Sequence, residues 1–434
     1  MAIGGNKMDK FLINDNLIIN SEGEFILFYL DNQSEVKYTK YALPNKAIKT
    51  SIFHKDNILR YAVTIDENDN IHLIALTKLG ELNYSIYKDN SWSNAIIAKF
   101  DFKSNIYNNI NILLTGKNVN IIYNYANLTN SKLWTIQHVI GNKQNWDKYN
   151  IVSFMSDKTF AHFHIDVDSF SSIHLLYSSM EGSGYQVYHT FYNSYTKKWN
   201  PSPQKLSTIN SNNLFPYLFI DTKNNLHAIW VEKLNGNNTL KYSRLNSKRN
   251  EKYIWKQIKI PYISNCNNMP IIIEEKGVLK IIYITNKGIG FLYSSDSGTN
   301  WSKGDELEID PSRISLVRIS DNSMRTKQIK INHAYCTIEQ SIYFYFLNSI
   351  NPIDAMEINN LPINQTISQV GIIDPSEEII LKLNKLLEAQ EEIENILYKT
   401  IGSQKRIEEN IENIFEILAT NKGSIFDKLF RPPK

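Results

Sequence analysis

A repeat of about 50 residues, running through the first 350 positions, constrains this chain more than any other feature. Self-similarity at such a period means stacked or radially arranged units, each too small to bury a core alone. One recurring element reads as a β-hairpin. Ile65-Asp66 leads through an Asn-rich turn to the apolar run 71–74, Ile165-Asp166 leads to 173–177, and Ile220-Asp221 leads to 226–230. Weaker copies at 24–29, 118–123, 278–283 and 341–346 bring the set to seven. Asp and Asn suit these turns because their side chains bond the local backbone and tolerate left-handed angles. The runs are apolar on both faces, as befits strands sandwiched between neighbouring sheets.

An aromatic residue beside a small hydroxyl, or beside His in one copy, follows the first six hairpins. The copies are Tyr38-Thr39, Tyr84-Ser85, Trp134-Thr135, Tyr188-His189, Tyr242-Ser243 and Tyr293-Ser294. A tryptophan comes next in five of them: Trp92, Trp146, Trp199, Trp255 and Trp301, out of seven in the chain. So regular a placement points to packing. Three strands plus a Trp-marked fourth predict an all-β fold, a β-propeller over residues 1–350, with seven blades favoured over six. Solenoid repeats are usually shorter and simpler. A strand at 10–13 is placed to pair with the last blade and close the ring, which removes exposed edges.

Residues 351–375 carry Pro352, Pro362 and Pro375 and read as a linker. A heptad then runs from Ile379 to Leu418, with Gln390, Thr400 and Gln404 as polar layers and Gly402 at its centre. It predicts an α-helical segment over 376–420: a continuous coiled coil that makes a homo-oligomer, or a hairpin folded back at Gly402. The amphipathic terminal peptide 421–434 places Phe426 and Phe430 one helical turn apart. It is either a docking peptide for a protein partner or a frayed end packed on the coil.

Composition narrows the classes. A formal charge of +3 gives no ground for nucleic acid as partner. The two cysteines, Cys266 and Cys336, form no disulfide framework and no metal-spaced pair. No run of 18 apolar residues suggests a membrane span, and residues 1–15 lack an apolar run of signal-peptide length. The cytoplasm is the default expectation; a bacterial envelope or spore surface, reached by an unconventional route, is the alternative.

One turn carries a signature. Ser294-Ser295-Asp296-Ser297-Gly298-Thr299-Asn300-Trp301 matches Ser-x-Asp-x-Gly-x-x-Trp and resembles the Asp-box of the sialidase-like, BNR-repeat β-propellers. Asp296 suits bonding to turn amides, Gly298 permits a positive φ, and Trp301 packs between blades. The resemblance implies the fold. It also places Ser294, Asp296, Gly298 and Trp301 at the blade periphery, away from the ligand face. It does not bring sialidase activity: the family's Arg-Ile-Pro segment is missing, and Arg60, Arg244, Arg249, Arg313, Arg318 and Arg325 do not fall at equivalent blade positions. Such an enzyme needs three arginines converging on a carboxylate, because guanidinium forks recognise that group.

Other catalytic motifs are absent: no nucleophile elbow, phosphate loop, HExxH or dinucleotide fingerprint occurs. If the family's orientation holds, the loops 124–129, 178–182 and 232–237 open on the ligand-facing rim. There Tyr125, Tyr177, Glu181, Trp230 and Glu232 are candidates to stack on and hydrogen-bond a sugar, against the alternative of plain solvated loops. Blade four holds His162, His164, His174 and His189. With turns centred near Ser169 and Glu181-Gly182, His164, His174 and His189 form a row able to hold zinc or copper, or else a polar cluster between blades. No other cofactor is expected. His72, His174 and His227 recur at one strand position, which argues for a shared role in the fold.

The leading functional reading is a non-enzymatic binding protein: a propeller head recognising a glycan or a surface polymer, multimerised by its tail for avidity. Two alternatives stand beside it. One is a divergent glycoside hydrolase, which needs two carboxylates about 5 to 10 Å apart. The other is a protein-interaction scaffold.

Overall fold

The computed structural model describes residues 15–350, apart from 43–45, 55–56, 142–145, 209–210, 248–253, 324–327 and 348. They belong to the first of two compact units, Met1–Asn359. The expected strand at 10–13, the linker at 351–375, the coiled coil at 376–420 and the peptide at 421–434 lie outside the described residues.

The described chain is almost wholly β. Seven antiparallel meanders follow one another, and we call them blades. Blade 1 is Asp15–Ile19, Phe25–Leu30, Val36–Ala42 and Lys46–His54; blade 2 is Ile58–Ile65, Ile71–Thr77, Glu81–Lys88 and Ser91–Lys99. Blade 3 is Asn105–Thr115, Asn118–Asn127, Asn130–Gly141 and Trp146–Met155. Blade 4 is Phe163–Val167, Ile173–Glu181 and Gly184–Asn193, with Lys198–Trp199 and Gln204–Lys205 both paired to its third strand. Blade 5 is Asn212–Ile220, Leu226–Leu234, Asn237–Leu245 and Trp255–Ile258; blade 6 is Ile271–Glu275, Val278–Thr285, Gly288–Ser294 and Ser302–Glu308. Blade 7 is shorter: Ser315–Asp321, His333–Ile338 and Ile342–Phe344. The first strands gather around a central cavity, so the arrangement is a β-propeller.

Burial follows this radial order. In blade 5 every residue of the second strand from Leu226 to Val231 is buried, whereas the fourth strand of blade 2 is largely exposed. The seventh blade closes the ring by hydrogen bonds on both sides. Ser315–Asp321 pairs in parallel with Asp15–Ile19, from Asp15 opposite Val317 to Ile19 opposite Asp321. On the other side, Ile329–Lys330 pairs antiparallel with Ile271–Glu275.

The turns after the first strands of blades 2, 4 and 5, and after the second strand of blade 1, show why Asp recurs there. Asp31, Asp66, Asp168 and Asp221 each accept from the backbone amides two and four residues on. The residue three places on is then left-handed: Ser34 at φ 63°, Asp69 at 60°, Ser171 at 62° and Asn224 at 61°. A small polar side chain tolerates that angle.

The tryptophans of the fourth slot join each blade to the one before. Trp92 packs at 4.0 Å on Phe53, and Trp146 joins the apolar cluster that includes Ala62, Ile74 and Leu82. Trp199 donates to Nδ1 of His138 at 3.2 Å, and Trp255 donates to Nδ1 of His189 at 3.3 Å. Trp301 meets the Tyr242 ring edge-on at 5.1 Å. In the turn before Trp301, Asp296 accepts from the amides of Thr299 and Asn300, and Gly298 has φ +84°. A Cβ on Gly298 would sit 2.1 Å from the Tyr242 hydroxyl, so close docking onto blade 5 also demands glycine.

Candidate functional site

First strands of a propeller face two environments: neighbouring blades and the channel. Here their polar positions, with the segments entering blades 4 and 7, line a cavity of about 590 Å³ that contains Asp15, Arg60, Asn109, His162, Arg318 and His333. Asparagines of blade 3 fix its wall. Asn108 Nδ2 donates to Lys158 O at 2.9 Å and Asn124 Nδ2 donates to Ala161 O at 2.5 Å, which seats the segment entering blade 4. Arg60 donates through Nε to Asn108 O at 2.6 Å and through its terminal nitrogen to Leu59 O at 2.8 Å. Arg318 donates to Asn111 Oδ1, and at 3.3 Å to Ile112 O. His164, Tyr217 and His333 bring blades 4, 5 and 7 together, with ring centres 4.7 to 5.4 Å apart.

Burial sets the charge state of this wall. It lowers the Arg318 pKa to about 10, so the guanidinium stays charged at neutral pH. It holds His162 near 4, His164 near 3 and His333 well below its ordinary value, so these imidazoles are neutral. It also lifts Asp15 to about 6.

Three carboxylates of the described residues line the cavity: Asp15, Asp166 and Asp321. Asp15 and Asp321 sit four rungs apart on the parallel ladder of blades 1 and 7. At ~3.3 Å per residue that is about 13 Å along the strands, beyond the span of a glycosidase pair. Asp166 is already engaged, accepting from Val167 N at 2.8 Å and Ile220 N at 2.6 Å.

The five rim candidates singled out from sequence lie elsewhere and none lines the cavity, whereas His162 and His164 of blade 4 do. Tyr125 is half-buried beside Tyr107, ring centres 5.9 Å apart. Tyr177 is buried between Phe154 at 5.3 Å and Tyr188 at 5.5 Å, and Trp230 is buried with its indole N–H on Asn213 Oδ1 at 2.8 Å. Protein atoms thus cover both aromatic faces. Glu181 pairs with Lys205, and Glu232 with Lys241 at 3.0 Å, each within its own blade.

The histidine row needs a correction of register. Asp168 closes a turn reaching to Ser172, so the hairpin centres one residue later than the sequence suggested. His164 and His189 then both pair with Leu176, whereas His174 pairs with Asp166 and Phe191. His164 turns to the cavity, with Nε2 3.1 Å from Met269 Sδ. His174 and His189 stay at the blade 4–5 interface. Because the Trp255 indole can only donate, His189 Nδ1 accepts from it. His189 Nε2–H therefore donates to His174 Nδ1 at 3.2 Å, and His174 Nε2–H donates to Asp168 at 3.5 Å. Among the described residues no three His, Cys, Asp or Glu side chains converge as a metal site.

That chain is one copy of a repeated device. In blade 2, His72 joins the Tyr84 hydroxyl at 2.6 Å and Asp66 at 3.3 Å. In blade 5, His227 joins the Tyr242 hydroxyl at 2.6 Å, and its Nε2 lies 3.2 Å from Asp221, short of hydrogen-bond alignment. The shared fold role expected of His72, His174 and His227 is this tie between turn, second strand and third strand.

Sequence reasoning passed over Arg318, Arg60 and His333 as site residues. The usable signal was an arginine inside a short apolar run, Leu59-Arg60-Tyr61 and Leu316-Val317-Arg318-Ile319, where a charge has no ordinary place.

No protein-family model matches the chain, and no curated protein matches it. Solved structures do. The BP39L lectin from Burkholderia pseudomallei is 9% identical, with 77% of this chain and 98% of that one covered at a TM-score of 0.52. A fungal lectin of Aleuria aurantia, described as a six-bladed β-propeller, is 13% identical over 69% of this chain and 97% of its own, TM-score 0.41. A thermostable family-43 glycoside hydrolase is 10% identical over 62% and 97%, TM-score 0.35. With BP39L this chain shares its fold.

Proposed function

We propose that the protein is a non-enzymatic carbohydrate-binding propeller. The observation that carries this reading is the central cavity: a space of about 590 Å³ with asparagine amides, arginines and aromatic rings converging on it. Such a set suits hydroxyl recognition, and the volume falls within the usual range for a small-ligand site. The shared fold with a structure described as a lectin supports the same reading. Against hydrolysis, Asp15 and Asp321 stand too far apart, and Asp166 is occupied by backbone amides. In this proposal the heptad at 376–420 oligomerises the head, so that several weak sites engage a glycan or surface polymer together.

A glycan array on the full chain, followed by calorimetry with the best oligosaccharide, tests this. Binding without release of reducing sugar, weakened by Asn111→Ala and by Asn268→Ala, a further asparagine lining the cavity, is the expected result. Binding lost instead in Glu181→Gln or Glu232→Gln would move the site to the rim loops. Release of sugar, abolished by Asp15→Asn, would make the protein a divergent hydrolase. A protein partner lost on deleting 421–434, with no glycan bound, would make it a scaffold.

A further inference from the structure

One wall of the cavity holds a charge that no carboxylate among the described residues pairs with. Arg318 stands in the first strand of blade 7, directly opposite His333 on the second, so their side chains share a face. Its guanidinium nitrogens meet neutral oxygens: the Asn111 amide and the Ile112 carbonyl. His333 is only 6% exposed, yet its Nδ1 has no hydrogen-bond partner among the described residues. His164 closes the same corner, 5.0 Å from His333 between ring centres. A half-buried cation without a counter-charge among the described residues and a buried imidazole nitrogen without a partner are both costly, and both belong to one cavity wall.

We propose that Arg318 and His333 form a binding site for an oxyanion, a carboxylate, sulfate or phosphate, either free in solution or carried on a sugar. The planar guanidinium fork offers N–H groups to two oxygens at once, and His333 in its Nδ1–H tautomer offers a further donor. Burial suits the site to an anion because the attraction is little screened there. Only the sugar-borne form of the proposal rests on the glycan-binding reading; the free-ion form stands without it.

Calorimetry on the full chain, titrated in turn with inorganic sulfate, phosphate and acetate, tests the site directly. A second series uses a sulfated disaccharide and its unsulfated counterpart. Saturable binding of at least one oxyanion is expected, weakened about tenfold or more in Arg318→Gln and in His333→Phe, because charge-assisted bonds carry the affinity. Preference for the sulfated disaccharide identifies a sugar-borne anion. Binding of the ions but of neither disaccharide identifies a free ion; the site then stands and glycan binding falls. Equal binding of both disaccharides with no ion bound overturns the site and leaves glycan binding intact. Unchanged ion affinity in folded variants also overturns it. Should Arg318→Gln fail to fold, His333→Phe, which removes the nitrogen but keeps a ring, decides the matter.

Discussion

Two sets of histidines occupy this propeller, and they differ in partners more than in burial. At the blade interfaces His72, His174 and His227 each face a turn aspartate on one side and a Tyr hydroxyl or second imidazole on the other. At the channel, His164 meets a thioether and His333 Nδ1 meets nothing among the described residues. A partnered imidazole ties strands together. An orphaned one spends stability, and such spending is characteristic of functional sites. The repeated histidines therefore read as fold, and the channel pair His164 and His333 is the one left for the oxyanion site proposed above.

The largest effect that probes this division is acid. Burial holds His138 and His162 near 4 and His164 near 3, and pushes His189 and His333 down as well. Because these folded-state values lie below the unfolded value of about 6.5, the unfolded chain takes up protons first as pH falls. The stability is complete above about 6.5 and is lost as pH drops towards 4. At ~1.4 kcal/mol per unit for each group, going from pH 7 to pH 5 should cost on the order of 5 kcal/mol. Asp15, lifted to about 6, works in the opposite sense but is one group. Urea midpoints followed by tryptophan fluorescence at the two pH values measure the loss; equal midpoints would mean these imidazoles are not buried neutral.

Removing one interface histidine comes next. His227 is fully buried, and its ring joins the Tyr242 hydroxyl to the turn at Asp221. His227→Ala leaves a cavity and an unpaired hydroxyl, so a loss of about 2–4 kcal/mol is expected in chemical denaturation. His72→Ala should cost less, since His72 is only partly buried. An equal cost at both would separate the effect from burial. Trp255→Phe keeps the ring and removes the N–H given to His189, for a loss of about 1 kcal/mol by the same assay.

Much of the interface device was legible beforehand, because repetition is visible in sequence. Asp66, Asp221, His72 and His227 recur at one spacing, and the structure shows why: one residue closes the turn and the other sets its ring against it, bonded in His72 and 3.2 Å away in His227. Register was less legible. A turn placed one residue later, at Asp168–Ser172, moved His174 two positions away from His164, since pairing depends on where the turn bonds fall. The cavity was least legible. Arg318 and His333 meet Asn111 and His164 only because a ring brings blades 3, 4 and 7 around one axis, and no local spacing records that.

The smallest effect is the sharpest test, because the two histidine sets should respond with opposite sign. At His227, loss of the ring removes bonds the fold uses. At His333, replacement by Phe keeps an aromatic ring against His164 and Tyr217 while deleting an unpaired nitrogen. An unsatisfied buried polar atom costs about 1–3 kcal/mol, so its removal offsets whatever packing the larger ring disturbs. His333→Phe should therefore leave the urea midpoint unchanged or raised by up to about 1 kcal/mol, in buffer free of oxyanions. With sulfate present, wild type should gain stability and the variant should not, because ligand bound only to the folded state stabilises it. A loss comparable with that of His227→Ala would show His333 to be part of the fold after all, and the contrast between the two sets would collapse.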